Sequence, residues 1–192
     1  MLNATTIAEK ILDWYAVNAR TFPWRTNPDP YAVWVSEIML QQTRMETVLP
    51  YYDYWMKAFP SLKDLAEADL QEVLKLWEGL GYYSRARNLH KAANVVMQEY
   101  GGVIPSDRKT LEKLPGIGRY TAAAISSIAF NADEAALDGN IRRVYSRLFN
   151  IEAPIRSTEA EQKLWALAEA LLPKGHAGDY NQALMDLGSG VC

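Results

Sequence analysis

Apolar side chains recur every three to four residues along most of this chain, and the alternation typical of strands is almost absent. Pro, Gly, Ser or Asp separate the periodic segments, and these residues commonly start or stop helices. The pattern predicts an all-α protein of about ten short helices. The predicted helices span residues 5–18, 31–41, 47–59, 62–66, 70–76, 84–100, 108–114, 119–129, 139–149, 158–172 and 179–191.

The composition is that of a folded protein and leaves the class of partner open. With 192 residues, 49% of them hydrophobic, the chain can bury one sizeable core or two small ones. A net charge of −3 argues weakly against a nucleic-acid partner. The basic side chains nevertheless gather in local clusters within 85–91, 108–119 and 142–147. The clusters keep DNA binding possible.

Two features of the sequence bear on the cellular compartment. The first ten residues have neither a basic start nor a long apolar stretch, and no later segment is apolar enough for a membrane span. The sole cysteine is Cys192, so an intrachain disulfide is impossible. We therefore expect a soluble, intracellular protein in the cytoplasm that has no membrane partner.

A glycine turn between two predicted helices is the first candidate site. Gly116 and Gly118 permit positive φ and place no side chain between the backbone and a ligand. The free amides that open the second helix can then face a phosphate. An ordinary helical hairpin is the plain alternative, but the whole segment 111–125 matches the helix-hairpin-helix motif and favours DNA phosphate.

Asp138 lies where the N-cap of the next predicted helix belongs. In isolation it would be a plain cap. Because it follows a phosphate-binding hairpin by about twenty residues, it is also placed to face the sugar of a bound nucleotide, where a carboxylate can stabilise or attack an oxocarbenium ion.

Glu37 is the only ionisable residue of a predicted helix that is apolar nearly all round. Burial should raise its pKa and keep it protonated near neutral pH, which suits a general acid. A buried structural glutamate paired with an arginine is the alternative. Together, Glu37 and Asp138 suggest cleavage of an N-glycosidic bond, with one carboxyl protonating the leaving group and the other beneath the developing cation.

Six segments carry a resemblance to a known family, namely 22–25, 36–43, 76–89, 114–122, 137–140 and 185–188. In sequence and order they resemble the adenine DNA glycosylases of the MutY type, within the helix-hairpin-helix superfamily that includes endonuclease III. The resemblance covers essentially the whole chain. It implies base excision repair of double-stranded DNA in which adenine, mispaired with 8-oxoguanine or guanine, flips out of the duplex and is hydrolysed off.

The resemblance also assigns roles position by position. Glu37 would protonate the adenine, and Asp138, supported by Asn140, would stabilise or capture the sugar cation. The positions similar to the adenine pocket are Arg20, Trp24, Arg25, Leu40 and Gln182. Gln42, Thr43, Leu80 and Tyr82 would fill the vacated stack and contact the opposite guanine. The other expected DNA contacts are Gln41, Arg85, Gly116, Gly118, Arg119 and Arg143.

Several of these residues have plainer interpretations. Trp24 and Leu40 are core residues by default, because large apolar side chains are usually buried for packing. Tyr82 could pack against the start of its helix, and residues 41–43 could simply end one. The basic residues 85–91 are typical of a solvated helix face.

Tyr120 bears on whether the reaction includes strand cleavage. Relatives that resemble endonuclease III and cut the strand have a lysine here, whose amine forms a Schiff base with the sugar, whereas a phenol cannot. We expect a monofunctional glycosylase in which Tyr120 helps to hold the water or Asp138. Some mismatch thymine glycosylases of the same superfamily also have a tyrosine at this position. Tyr120 therefore does not decide which base is removed.

The family pattern continues, after 186–188, with four cysteines that hold a 4Fe-4S cluster. Cys192 aligns with the first, and a single thiolate cannot hold such a cluster. We therefore expect no cluster in this chain. We also expect it to be truncated before the cluster loop and the carboxyl-terminal domain that helps to recognise the oxidised guanine.

In architecture we expect two helical lobes with the active site in a cleft between them. The first would be a six-helix lobe of residues 21–133 with the hairpin at about 107–130, and the second residues 1–20 with 134–192. We expect a monomer. The alternatives to an adenine glycosylase are a related glycosylase for mismatched thymine or damaged pyrimidines, and a non-catalytic module that recognises DNA structure.

Overall fold

The computed structural model describes residues 4–26, 28–155 and 157–192. Within these residues the fold is all helix and contains no strand, which confirms the predicted class. The helices are α1 (Ala4–Asn18), α2 (Pro23–Thr26), α3 (Pro30–Leu40), α4 (Met45–Ala58), α5 (Leu62–Glu67), α6 (Leu70–Leu76), α7 (Ser84–Glu99), α8 (Arg108–Leu111), α9 (Arg119–Phe130), α10 (Gly139–Leu148), α11 (Thr158–Ala170) and α12 (Ala177–Gly190). None of the helices in this part of the chain has the length and apolarity to cross a bilayer.

Short polar side chains begin many of the helices by accepting hydrogen bonds from amides of the first turn. The Asp29 carboxylate accepts from the Tyr31 and Ala32 amides at the start of α3. Ser61 and Asp64 form a reciprocal capping box at the start of α5. These bonds satisfy amides that no preceding turn can reach, so the sequence sets the helix starts locally.

Most helix ends lie within two residues of their predicted positions, and the most informative differences are at α2, α8 and α4. Helix α2 was missed, because four residues are too few to show a helical period. Helix α8 ends at Leu111 rather than 114, since the chain turns there towards the glycines of the hairpin. Helix α4 begins at Met45 and contains Pro50, whose missing N–H costs only one bond close to the helix start.

The chain divides into two units, and the boundary falls inside α9. One unit is Pro23–Ile125. Helix α3 lies at its centre, packed against α4 and α7, and every residue from 31 to 39 is buried. Trp55 makes edge-to-face contacts with Phe59 and Trp77 on one side of this core. The core therefore fixes α3 from all sides.

The other unit comprises Met1–Phe22 and Ser126–Cys192. Helix α12 packs against both α1 and α10. Two buried glycines of α12 allow close approach: a Cβ on Gly178 would lie 2.6 Å from the Ser127 carbonyl oxygen, and one on Gly188 would lie 2.7 Å from the Asn140 Cβ. Asn140, which Gly188 approaches, lies two positions after the predicted site residue Asp138.

Candidate functional site

Glu37 is buried within α3, at 5% exposure, as its apolar surroundings predicted. The hydroxyl of Tyr120, the second residue of α9, donates to Glu37 Oε2 at 2.5 Å. The structure thus joins two of the predicted catalytic residues directly. The raised pKa that we expected for Glu37 stays a prediction.

Asp138 is the N-cap of α10, as predicted. Its Oδ1 accepts from the Ile141 amide at 2.7 Å, and its Oδ2 accepts from Asn140 Nδ2 at 2.8 Å. Desolvation raises the pKa of Asp138 above its ordinary value, and it outweighs the lowering effects of these hydrogen bonds and of the Arg143 charge. A carboxylate whose charge is poorly solvated gains most from a cation placed nearby.

A second layer of contacts orients Asn140. Arg143 Nη2 donates to Asn140 Oδ1 at 2.7 Å and to the Gly188 carbonyl oxygen at 2.5 Å. Because the guanidinium can only donate, the Asn140 oxygen must face it and the amide NH₂ group must face Asp138. Arg143 therefore holds Asn140 in the orientation that donates to Asp138, and its predicted contact with DNA stays a prediction.

Arg20 forms an ion pair that the sequence did not reveal. Its guanidinium donates through Nε and Nη2 to Asp186 Oδ1 at 3.0 and 2.5 Å, and Nη2 also donates to Ser189 Oγ. Asp186 is buried at 3% exposure and was not among the predicted site residues, although it lies in the family-like segment 185–188. The pair holds the segment that follows α1 against α12.

The hairpin between α8 and α9 has the exposed backbone that its sequence predicted. Leu114 and Ile117 are buried and anchor the turn, whereas Gly116, Gly118 and Arg119 are exposed. Gly116 has φ 77° and uses the conformational freedom that its sequence permits, whereas Gly118 is not among the glycines of positive φ. A Cβ on Gly118 would meet nothing within 4 Å, so its small size leaves the backbone open from outside.

Residues 41–43 and 80–82 form two turns whose tips are exposed and whose flanking residues are more buried. Gln42 and Tyr82 both have positive φ, 58° and 47°, and both are exposed, Tyr82 at 61%. Leu80, by contrast, is buried at 5% and belongs to the core. Gln41 is half-buried and donates from Nε2 to Thr121 Oγ1 at 3.2 Å. Gln42 and Tyr82 are therefore the tips that a duplex could meet.

The residues predicted to line the adenine pocket vary in burial. Trp24 is 4% exposed and packs edge-to-face on Tyr52, with ring centroids 4.8 Å apart. Arg25 and Leu40 are half-buried. Gln182 is buried, and its Nε2 donates to the Gly178 carbonyl oxygen at 3.3 Å. Trp24 thus has the packing role of its plainer interpretation, whatever further role it has.

The iron–sulfur cluster of the resembling family does not fit this sequence. The four thiolates that such a cluster needs are represented by Cys192 alone, and this cysteine is exposed. No group of three His, Cys, Asp or Glu side chains suited to a metal occurs among the residues that the structure describes.

Comparison with known proteins gives relatives over nearly the whole chain. The chain is 48% identical over 197 residues to the adenine DNA glycosylase of Homo sapiens, and the match covers 98% of this chain and 36% of that protein. It is 44% identical over 185 residues to the adenine DNA glycosylase of Buchnera aphidicola subsp. Baizongia pistaciae, covering 96% of this chain and 52% of that protein. The chain thus spans about a third to a half of the length of these relatives.

The fold has a close counterpart among solved structures. A thermostable thymine-DNA glycosylase superposes with a TM-score of 0.88 at 34% sequence identity, covering 98% of this chain and 87% of that one. The profile described as HhH-GPD superfamily base excision DNA repair protein matches residues 35–170. The chain therefore belongs to the HhH-GPD superfamily of base excision DNA repair proteins.

Proposed function

We propose that this chain is a monofunctional DNA glycosylase that removes adenine mispaired with 8-oxoguanine or guanine. The observation that carries the proposal is the hydrogen bond from Tyr120 to the buried carboxyl of Glu37. It places a phenol, which cannot form a Schiff base, beside the residue suited to act as the acid. The adenine DNA glycosylases that the chain resembles support the choice of base.

In the proposed reaction the adenine leaves the stack before any bond breaks, because a paired base hides its ring nitrogens and its glycosidic carbon. Glu37 gives its proton to a ring nitrogen of the adenine. The bond from C1′ to the base then breaks, and its electron pair leaves with the adenine. Hydrolysis follows from the cation left on the sugar.

Asp138 stabilises this cation. The Asp138 carboxylate accepts hydrogen bonds from Ile141 and Asn140, but burial leaves its negative charge poorly solvated in the free protein. The positive charge that develops on the sugar therefore lowers the electrostatic energy of this carboxylate. Water then adds to C1′ and loses a proton to the Glu37 carboxylate. The products are free adenine and an abasic site, and the acid is restored for the next cycle.

We propose that the substrate is double-stranded DNA, bound by one copy of the chain. The amides that open α9 behind Gly116 and Gly118 would hold a backbone phosphate. Gln42 and Tyr82 would enter the space left by the adenine, where an aromatic side chain can stack between bases. Arg119, exposed at the start of α9, would add positive charge beside the phosphate.

The test is single-turnover base release from duplexes that carry adenine opposite 8-oxoguanine or guanine. The chain should release adenine, and Glu37→Gln and Asp138→Asn should each slow release by at least about a hundredfold, as expected for an acid and for an electrostatic stabiliser. The abasic strand should stay intact until alkali is added. Spontaneous strand cleavage would contradict the monofunctional reaction.

A second candidate is a glycosylase for mismatched thymine. The thymine-DNA glycosylase that this fold matches at 34% identity favours it. A duplex with thymine opposite guanine, assayed beside the adenine duplex, separates the two by which base is released. Binding without release of either base, unchanged in Glu37→Gln, would instead indicate a module that only recognises DNA structure.

A further inference from the structure

A single buried guanidinium ties the two exposed tips of the proposed DNA surface together. Arg85, the second residue of α7, is 8% exposed. Its Nη1 and Nη2 atoms donate hydrogen bonds to six oxygens of the protein. The acceptors are the carbonyl oxygens of Ile38, Met39, Gln41, Leu80 and Gly81, at 2.6–3.2 Å, and Thr43 Oγ1 at 3.1 Å.

The arrangement follows from what a helix end lacks. The last carbonyls of α3 have no amide partners in the helix, and a buried carbonyl needs a donor. The Arg85 guanidinium supplies several donors at once, and its charge also complements the negative end of the α3 dipole. Trp77 and Tyr82 contact the guanidinium with their rings, at 5.2 and 5.6 Å from Cζ to the ring centroids.

The residues that Arg85 holds surround two strained positions. Gln41 and Thr43 flank Gln42, and Leu80 and Gly81 directly precede Tyr82. A non-glycine residue at positive φ persists only where neighbouring contacts hold it. Here the hydrogen bonds in both turns come from the same side chain, that of Arg85. The two tips are therefore fixed relative to each other before DNA arrives.

We propose that Arg85 is a positioning residue, which presets Gln42 and Tyr82 to enter the duplex as the adenine leaves the stack. This inference rests on the proposed function. It differs from the DNA contact predicted from sequence, because the guanidinium faces the protein's own carbonyls. Preset tips lower the cost of opening the base pair, since the protein need not order them during the event.

The experiment compares Arg85→Met and Arg85→Lys with Lys75→Met, which removes one charge from an exposed side chain of the same unit. Base release is measured on two duplexes, with the adenine opposite 8-oxoguanine or opposite a tetrahydrofuran abasic analogue. The second duplex has no base pair to open. Chemical denaturation first establishes that each variant is folded under the assay conditions.

For a positioning role, Arg85→Met should slow release from the paired duplex by about tenfold or more, and much less from the unopposed adenine. Arg85→Lys should share the defect, because an ammonium group cannot span six acceptors in two turns. The salt dependence of DNA affinity should match that of the unsubstituted chain. A purely structural loss would instead slow both duplexes equally, which would overturn the proposal.

Two other results would also overturn it. Recovery of full activity in Arg85→Lys, or a slope of log affinity against log salt that is smaller by about 1 in Arg85→Met, would indicate a phosphate contact. Hydrogen exchange gives an arm that needs no DNA: amides of residues 40–44 and 79–83 should exchange faster in both Arg85 variants and not in Lys75→Met. Unchanged exchange would refute the proposal, whereas a chain that releases no base from any duplex would refute only the proposed function.

Discussion

Replacing Gly188 by alanine should push apart α10 and α12 at the point where they support Asp138. A Cβ on Gly188 would lie 2.7 Å from Asn140 Cβ and 2.8 Å from the Asn140 carbonyl oxygen. Real Cβ contacts essentially never fall below 3.0 Å and are ordinary from 3.4 Å, so the Asn140 carbonyl oxygen must move by about 0.2–0.6 Å. Part of the obstacle is backbone, so the start of α10 must move with it.

The size of the effect follows from two opposing contributions. Overpacking of this kind costs about 1–3 kcal/mol of unfolding free energy. Alanine in place of glycine in a helix returns about 0.5–1 kcal/mol through its lower backbone entropy. We expect a net loss of up to about 2.5 kcal/mol for Gly188→Ala.

Gly190→Ala is the matched control, since it makes the same substitution in the same helix. A Cβ on Gly190 would meet nothing within 4 Å. This variant keeps the entropy gain without the overpacking, so its stability should equal or slightly exceed that of the unsubstituted chain. The difference between the two variants isolates the overpacking contribution of about 1–3 kcal/mol.

Equilibrium unfolding in urea measures both stabilities, and single-turnover base release measures the functional consequence. A shift of a few tenths of an ångström in Asn140 moves its hydrogen bond to Asp138, so release should fall by about tenfold or more in Gly188→Ala. If Gly188→Ala matched Gly190→Ala in both stability and rate, the reasoning from the close approach of α10 and α12 would be refuted.

Four further predictions concern other parts of the site. Asp138→Asn should raise the free energy of unfolding at pH 7, because the pKa of Asp138 is raised on folding and the amide still caps α10. The gain should shrink as pH falls through the raised pKa of the folded state, and it should be absent below about pH 4, where the carboxyl is protonated in both states. In pH profiles of base release, the acidic limb should lie above the ordinary aspartate pKa. Gly118→Ala should weaken DNA binding at unchanged stability, whereas Gly116→Ala should lose stability, because its φ is 77° and its Cβ would lie 2.7 Å from Asn88 Cβ. Tyr120→Phe should lower the free energy of unfolding by about 1 kcal/mol, because it removes the hydrogen bond that Tyr120 donates to Glu37.

Three of these have a clear contradicting result. Urea titrations across pH would contradict the first if Asp138→Asn were the less stable protein at neutral pH. Equal DNA affinity of Gly118→Ala and the unsubstituted chain, measured by fluorescence anisotropy, would remove the hairpin from the binding surface. A Tyr120→Phe protein with unchanged stability would mean that water replaces the phenol at no cost.

Much of the fold was predictable because its causes are local. Helical periodicity and the capping residues set most helix positions, and Asp138 was recognisable as an N-cap from the residues around it. The burial of Glu37 followed from a helix without a polar face. Helix α2 escaped prediction, since a helix of four residues carries no period.

The directions of the charged side chains could not be predicted in this way. A sequence shows that Arg85 and Arg143 are basic, but a solvated arginine and one that donates to buried carbonyls have the same local pattern. Only the folded chain brings the Arg85 guanidinium to acceptors in two separate turns. In our proposal Arg85 therefore supports the chain's own backbone instead of making the predicted contact with DNA.

The sequence by itself determined the helical class, the hairpin with its exposed glycines, and the chemical types present at positions 37 and 138. The tertiary structure decided which groups meet: Tyr120 with Glu37 across 83 residues, and Arg20 with Asp186 across 166. Helix propensity and capping act within a few residues and are legible in the sequence, whereas pairing between distant side chains depends on how the helices pack, which no local pattern encodes.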